Sequence, residues 1–143
     1  MTIRHILNAK GRDILTVLPS ASVADAARML CERKIGALPI IEEGGRLAGI
    51  LSERDVVRLV VSHGAEGLSK TVSEVMTRDV VTGREEMTLN EAMEAMTRGR
   101  FRHLPICDED RLVGIISIGD AVKRRIEDVE REAEELRTYI HAG

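Results

Sequence analysis

One segment of the chain occurs twice, and this repeat limits the folds open to the sequence. Residues 34–55 and 100–120 both contain Leu-Pro-Ile, a polar turn with an arginine, Leu-x-Gly-Ile and Ser-x-x-Asp, in the same order. The copies lie 66 residues apart at the Leu-Pro pair and 65 apart at the Ser-x-x-Asp motif, so the second turn is one residue shorter. A half of about 65 residues buries too little apolar surface to be comfortably stable alone. We therefore expect two small repeats that share a core and form one pseudo-twofold unit.

The hydrophobic pattern predicts the same series of elements in each half. Each half reads as a lead-in helix, a short strand, a capped helix, a hairpin and a final helix that opens at Ser-x-x-Asp. In chain order, the predicted lead-in helices are 3–7 and 72–77, the short strands 14–17 and 80–83, and the capped helices 23–33 and 88–98. Residues 64–70 form the predicted linker, with Gly64 ending the preceding helix. We expect domains at 1–70 and 71–126 and a helical extension at 127–143.

The last predicted helix runs beyond its counterpart in the first half and carries a narrow apolar stripe. Its apolar residues follow spacings of 4, 3, 4, 3 and 4: Val122, Ile126, Val129, Ala133, Leu136 and Ile140. This is a heptad seam set among Glu and Arg. The apolar stripe can be buried in two ways: the helix folds back onto its own domain, or it pairs with the same helix of a second subunit.

Charge and composition exclude several classes of function. The formal charge is −3, with 21 basic and 24 acidic residues mixed along the chain, so neither a nucleic-acid surface nor a membrane patch is expected. One Phe, one Tyr and no Trp leave almost no aromatic stacking for bases, so aliphatic side chains must hold any planar ligand. No apolar run approaches the roughly 20 residues of a membrane span, and the N-terminus lacks a signal-peptide pattern. We expect a cytoplasmic protein.

The repeated Ser-x-x-Asp motif has two interpretations. A Ser followed three residues later by an acid at a strand-to-helix junction is a capping box. The same helix start also attracts phosphate, and its Asp can accept hydrogen bonds from the two hydroxyls of a ribose. Arg102 and His103, at the entrance of the second repeated hairpin, are either solvated surface residues or phosphate ligands. The histidines show no metal-ligand spacing, and no catalytic triad or glycine-rich phosphate loop is present, so we expect neither a metal nor catalysis.

The two copies together resemble tandem cystathionine β-synthase-type (CBS) domains over roughly residues 14–125. The resemblance rests on Gly36-Ala37-Leu38-Pro39-Ile40-Ile41 with Gly49-Ile50-Leu51-Ser52-Glu53-Arg54-Asp55, and on Arg102-His103-Leu104-Pro105-Ile106 with Gly114-Ile115-Ile116-Ser117-Ile118-Gly119-Asp120. It implies a Bateman module of the stand-alone bacterial type. The implied fold class is α/β (α+β), with two pseudo-twofold related β-α-β-β-α repeats packed through their sheets and an extended C-terminal helix.

The resemblance also implies two symmetry-related clefts that bind an adenosine nucleotide. The cleft headed by the second motif would use Asp120 on the ribose and Ser117, His103 and Arg102 on phosphate. Its other members would be Thr16, Ile35, Gly36, Ala37 and Ile115. The mate would use Asp55, Ser52 and Arg54, with Thr82, Phe101 and Ile50. Because Gly36 and Ala37 carry no charge where the second copy has Arg102 and His103, we expect stronger phosphate binding at Asp120. Gly119 departs from the hydroxyl residue of some nucleotide-binding members.

The function implied is a non-catalytic sensor that binds an adenine nucleotide and acts through a partner protein. AMP is the first expectation for the ligand, and ATP, ADP or NAD(H) are the others. Members of the family usually pair, so a homodimer and a separate effector protein are expected. The alternative is a structural or oligomerisation protein that has lost its ligand and uses the C-terminal heptad helix.

Overall fold

The structure, a computed structural model, describes residues 1–142 as a series of helices and two hairpins. The helices are α1 (Ile3–Lys10), α2 (Val23–Arg33), α3 (Glu53–His63), α4 (Val72–Val75), α5 (Leu89–Gly99) and α6 (Ile118–Ala142). The strands are β1 (Ala37–Ile41), β2 (Leu47–Ser52), β3 (His103–Asp108) and β4 (Arg111–Ser117). The predicted linker is a 3-10 helix, Gly64–Ser69, and Gly64 ends α3 with a φ of 67°. The expected two-repeat α+β fold with a long C-terminal helix is confirmed.

The two hairpins are near copies that differ in their turns. Both are antiparallel, and each contains one register shift, after Ile40 in the first and after Ile106 in the second. The first turn needs two glycines, Gly44 and Gly45, with φ angles of 94° and 92°. The second turn is shorter, and Glu109 adopts a φ of 57° there. The single residue of difference between the repeats is therefore absorbed by the turn, where backbone conformations with positive φ are available.

The short strands predicted at 14–17 and 80–83 are shorter than expected. Val17 pairs in parallel with Ile40, and Gly83 pairs in parallel with Ile106, each as a single bridge. In the first repeat, the Val17 N–H donates to the carbonyl of Pro39 and the Ile41 N–H donates to Val17. The next donor in such a ladder would be the N–H of residue 39, which a proline lacks, and Pro105 has the same effect in the second repeat.

The lead-in helices are exchanged between the two hydrophobic cores. Ile3, Ile6 and Leu7 of α1 lie in the core formed by the second repeat, with residues of α5, β3, β4 and α6. Val72 and Met76, on and just after α4, lie in the core of the first repeat. The predicted division at residue 70 therefore does not coincide with a division between cores. Each half depends on the other to complete its buried surface.

One glycine in β2 and one in β4 make this exchange possible. A Cβ atom on Gly49 would lie 2.6 Å from the Met76 sulfur and 2.7 Å from the carbonyl oxygen of Thr77. A Cβ atom on Gly114 would lie 2.7 Å from the Cδ2 atom of Leu7. These distances are too short for a real contact, so the lead-in segments approach the strands at distances that only glycine allows.

We expect Gly49→Ala to lower the free energy of unfolding by about 1–3 kcal/mol, because its methyl group would force the backbone at Thr77 away from β2. The matched control is Gly119→Ala. The nearest atom to its added Cβ is the Ser117 hydroxyl at 3.6 Å, and alanine favours the helix. Urea denaturation of the three proteins measures the difference. Equal midpoints for Gly49→Ala and wild type would contradict the close packing.

Candidate functional site

A cleft of about 900 Å³ lies between the two repeats. It is bounded by the starts of β1, β3, α3 and α6 and, after α4, by Thr77 and residues 79–81. The start of each helix is fixed to a strand entrance: the Glu53 N–H donates to the Gly36 carbonyl at 3.0 Å, and the Ile118 N–H donates to the Arg102 carbonyl at 2.8 Å. These paired contacts bring two helix N-termini to one cavity, which is a favourable place for an anion.

Ten of the residues predicted from the sequence line this cleft. They are Gly36, Ala37, Ile50, Ser52, Arg54, Asp55, Phe101, Arg102, His103 and Ser117. The remaining five, Thr16, Ile35, Thr82, Ile115 and Asp120, do not line it. Arg102 and His103, expected to serve Asp120, share this cavity with Asp55, and the charge of Asp120 also acts on the pKa of His103. The cleft thus combines the polar side chains of both predicted sites on one side of the molecule.

The sequence analysis missed further polar residues of the cleft. Arg58 and Arg100 line it, as do Glu53 and Asp79. Arg58 lies one helical turn after Arg54, a spacing that places the two guanidinium groups on one face of α3 and that the sequence could have revealed. Asp79 follows α4, and no local pattern indicates that this segment returns to the cleft.

Both Ser-x-x-Asp motifs are capping boxes. The Ser52 N–H donates to Oδ2 of Asp55 at 2.9 Å, and the Asp55 N–H donates to the Ser52 hydroxyl at 3.2 Å. Ser117 and Asp120 repeat this pair at 2.9 and 3.0 Å. Within residues 1–142, the hydrogen bonds to each carboxylate reach Oδ2 alone. The cap therefore orients each Asp and leaves Oδ1 available to a further donor.

Lys10, at the end of α1, covers the second of these carboxylates. Its Nζ donates to Oδ2 of Asp120 at 2.6 Å and to the carbonyl oxygen of Ile115 at 2.9 Å. Burial, the largest influence on Asp120, acts to raise its pKa. The hydrogen bonds from Lys10 and from the Ser117 N–H outweigh burial, so the pKa lies below its ordinary value. The carboxylate expected to bind the ribose is thus engaged by a side chain of the same molecule.

The residue that corresponds to Lys10 in the other lead-in segment carries the opposite charge. Leu7 packs on Gly114 as Met76 packs on Gly49, so the two lead-in segments are related by this contact. Three residues further on stand Lys10 in one segment and Asp79 in the other. Asp79 lines the cleft that contains Asp55, and Asp55 forms no salt bridge among the described residues. One carboxylate is neutralised by its own chain, whereas the other stays free.

The charges around Asp55 favour an anionic ligand that also carries hydroxyl groups. Four exposed arginines line the cleft: Arg54, Arg58, Arg100 and Arg102. Three acids accompany them: Glu53, Asp55 and Asp79. The arginines offer planar, charge-assisted donors for phosphate oxygens. The acids offer acceptors for hydroxyl or amine groups.

The surroundings of His103 disfavour a positive charge on its ring. Burial, and next the positive charge of Arg102, lower the pKa of His103 below its ordinary value, which favours the neutral ring. The ring packs against Gly36, where a Cβ atom would come within 2.6 Å of Cε1. A neutral imidazole can donate one hydrogen bond to a ligand but supplies no positive charge. The arginines therefore carry the cationic character of the cleft.

Two pseudo-symmetric α+β repeats with a polar cleft between them define a paired-repeat module with a site for a small molecule. The family model described as "CBS domain" matches residues 3–62 and 72–127, and the chain belongs to this family. The CBS-domain containing protein ATU1752 from Agrobacterium tumefaciens is 45% identical, with a TM-score of 0.83 over 87% of this chain and 99% of that one.

Two further solved structures of this fold are complexes with small molecules. CBSX2 in complex with AMP is 29% identical, with a TM-score of 0.72 over 80% of this chain and 89% of that one. The CBS domain pair of MJ0100, in complex with 5′-methylthioadenosine and S-adenosyl-L-methionine, is 28% identical, with a TM-score of 0.77 over 88% and 99% of the two chains. All three of these small molecules contain adenosine. In the described part of this chain, no helix is both long and apolar enough to span a bilayer.

We expect Lys10→Met to destabilise the protein at neutral pH by less than about 1 kcal/mol, because about a third of each partner of the Lys10–Asp120 pair is exposed. The pKa of Asp120 is lowered in the folded state, so its ionisation stabilises the fold above the ordinary Asp pKa of about 4. This contribution is lost as pH falls through the folded value. The variant should therefore differ from wild type at pH 7 and approach it in strong acid.

Denaturation of both proteins between pH 7 and pH 2 measures this convergence. Arg98→Met is the control, because Arg98 and Glu94 form an ion pair on the exposed face of α5. A difference between Lys10→Met and wild type that stays constant down to pH 2 would show that Lys10 does not act through Asp120.

Proposed function

We propose that this protein is a non-catalytic regulatory module that binds an adenine nucleotide in the cleft between its repeats. The observation that carries the proposal is the position of the free, capped carboxylate of Asp55 in one cavity with four arginines and two helix N-termini. A nucleotide needs both kinds of partner, because its ribose hydroxyls are donors and its phosphates are anions. The complexes of CBSX2 with AMP and of MJ0100 with adenosine compounds support this ligand class.

The residues of the cleft suggest a division of roles. Oδ1 of Asp55 accepts hydrogen bonds from the ribose hydroxyls, as an acid does in other nucleotide sites. The Ser52 hydroxyl and the guanidinium groups of Arg54 and Arg102 bind phosphate. Ile50 and Val80, both half-buried at the cleft, flank the base with aliphatic surface. AMP is the ligand proposed first, with ADP, ATP or NAD(H) as the others, and a response to AMP would make the module an energy sensor.

We infer that the two repeats do not bind nucleotide equally. At Asp120, a ribose must compete with the Lys10 ammonium, which forms a hydrogen bond of 2.6 Å to the same carboxylate. At Asp55 no such competitor occurs among the described residues, and the arginines are nearby. The proposal therefore places the main site at Asp55. This is the reverse of the order expected from the sequence, in which Arg102 and His103 were assigned to Asp120.

We expect Asp55→Ala to weaken AMP binding about 10- to 100-fold, because hydrogen bonds from the ribose to a charged acceptor are lost. Asp120→Ala is the matched control, since it removes the same capping box from the other repeat. Calorimetric titration with AMP measures both variants, and thermal melting verifies that they are folded. Absence of AMP, ADP, ATP and NAD(H) binding at millimolar concentration, or unchanged AMP affinity in Asp55→Ala, would refute the nucleotide proposal.

We expect Lys10→Met to raise the number of AMP molecules bound per chain from one to two, because it frees Asp120 and the Ile115 carbonyl. Lys123→Met is the control, since Lys123 is an exposed residue of α6. The same titrations give the stoichiometry. If wild type already binds two AMP molecules, or if Lys10→Met still binds one, then Lys10 does not restrict binding at Asp120. Neither result would contradict the proposed site at Asp55.

Regulation requires that the ligand affect a second protein. The nucleotide can bias such a partner only by the difference in its affinity for two states of the module. A separate effector protein in the cytoplasm is part of the proposal. The alternative, a ligand-free oligomerisation protein, is favoured by one observation, the exposed apolar stripe of α6. Failure of all four nucleotides to bind would favour it.

A further inference from the structure

The second half of α6 extends away from the rest of the chain. Every residue from 129 to 142 is exposed, on all sides of the helix. The first turn of α6 contacts the domain, because Ala121 belongs to the core of the second repeat. The last residue of the helix that is not exposed is Asp128, 9% exposed, whose ion pairs with Arg124 and Arg131 at 3.4 and 3.0 Å lie within the helix. Arg124 also reaches the sulfur of Met1 at 3.5 Å. One face of α6 is thus attached to its own domain, and the opposite face is free.

The free face carries the heptad stripe seen in the sequence. Its exposure rises along the helix from 43% at Val122 to 64% at Ile140. Folding back onto the same domain, one of the two coverings left open by the sequence, is wrong. A solvated helix of this kind gains little stability from propensity alone, and a packed partner face supplies the rest.

The charges beside the stripe match a second copy of the same helix. In heptad terms, Val122, Val129 and Leu136 occupy d positions, and Ile126, Ala133 and Ile140 occupy a positions. Arg125 and Glu132 then occupy g positions, and Glu130 and Arg137 occupy e positions. In a parallel, in-register pair, each g residue faces the e residue five positions later on the other helix. Arg125 would face Glu130 of the partner subunit, and Glu132 would face Arg137 of the partner subunit. Both contacts are attractive.

The residues of the stripe also indicate the number of helices. Isoleucine at a with leucine at d favours two-stranded coiled coils. Ile126, Ile140 and Leu136 follow this rule, whereas Val122, Val129 and Ala133 do not. We propose that residues 122–140 of two copies of this chain form a parallel, in-register, two-stranded coiled coil. The seam spans about 27 Å at 1.5 Å per residue. It lies largely beyond residue 127, where the match to the CBS family ends.

Charge reversal tests the pairing. The contact between Glu132 and Arg137 occurs twice in a symmetric dimer, and Arg137→Glu places two glutamates opposite each other in both copies. This variant should raise the dimer dissociation constant about 5- to 30-fold. Glu132→Arg alone should do the same, and the double variant E132R/R137E should return towards wild type, because the attraction is restored with its signs exchanged. Glu135→Arg, at an exposed c position away from the seam, is the control. Sedimentation equilibrium of the full chain measures each constant, and circular dichroism verifies the helix content.

Disulfide trapping tests the orientation. Leu136 would meet Leu136 of the partner subunit, so Leu136→Cys should cross-link under mild oxidation in a Cys31→Ser background, which removes the exposed native thiol. Thr138→Cys, on the outer side of the helix, should cross-link far less. A monomer at every concentration, a dimer that Arg137→Glu leaves unchanged, or equal cross-linking at positions 136 and 138 would overturn the proposal.

Discussion

Each repeat of this protein completes its hydrophobic core with a helix from the other half of the chain. Leu7 lies against Gly114, and Met76 lies against Gly49, at distances that leave no room for a side chain on either glycine. The remaining buried side chains come from one hairpin and α2 in the first repeat, and from one hairpin, α5 and α6 in the second, which is little for an independent domain. The exchange therefore joins the two repeats into one folding unit, and it also determines which residues reach each capped helix start.

The residues that reach each capped helix start make the two sites different, although their sequences look alike. Both Ser-x-x-Asp motifs form the same capping box, and both aim a carboxylate at the end of a strand. The lead-in segment that arrives beside the second box ends in Lys10, whereas its counterpart brings Asp79 to the cleft of the first. A pseudo-twofold fold thereby holds one neutralised carboxylate and one free carboxylate. The cap explains the orientation of the Asp residues. The exchanged segments explain why one carboxylate is free to bind a ligand and the other is paired with Lys10.

The long helix α6 connects this unit to its proposed assembly. Its first turn contributes Ile118 and Gly119 to the border of the cleft. The next residues contact the domain through Ala121 in the core and through Arg124, which reaches the sulfur of Met1, and its last 14 described residues are exposed. A rigid helix that begins at the ligand cleft and ends in the proposed dimer seam provides a physical connection between the two. Movement of the helix start would be carried along the helix, since its backbone hydrogen bonds resist bending.

The sequence by itself determined the elements whose signals are local. The repeat, the two hairpins, the caps at Ser22, Ser52 and Thr88 and the end of α3 at Gly64 follow from side chains that act within a few residues of the backbone they shape. The heptad spacing of α6 belongs to the same class. The short strands were overestimated because the missing N–H groups of Pro39 and Pro105 lie on the neighbouring strand, outside the window in which a strand pattern is recognised.

Only the tertiary structure decided the contents of the cleft. The presence of Arg102, His103 and Asp55 in one cavity, the lowered pKa of His103 and the contact between Lys10 and Asp120 all depend on how the repeats pack. Lys10 and Asp120 are 110 residues apart, and no pattern near either residue indicates the other. Burial and charge at such a site are sums over neighbours from both halves of the chain, and those neighbours exist only once the lead-in helices have been exchanged.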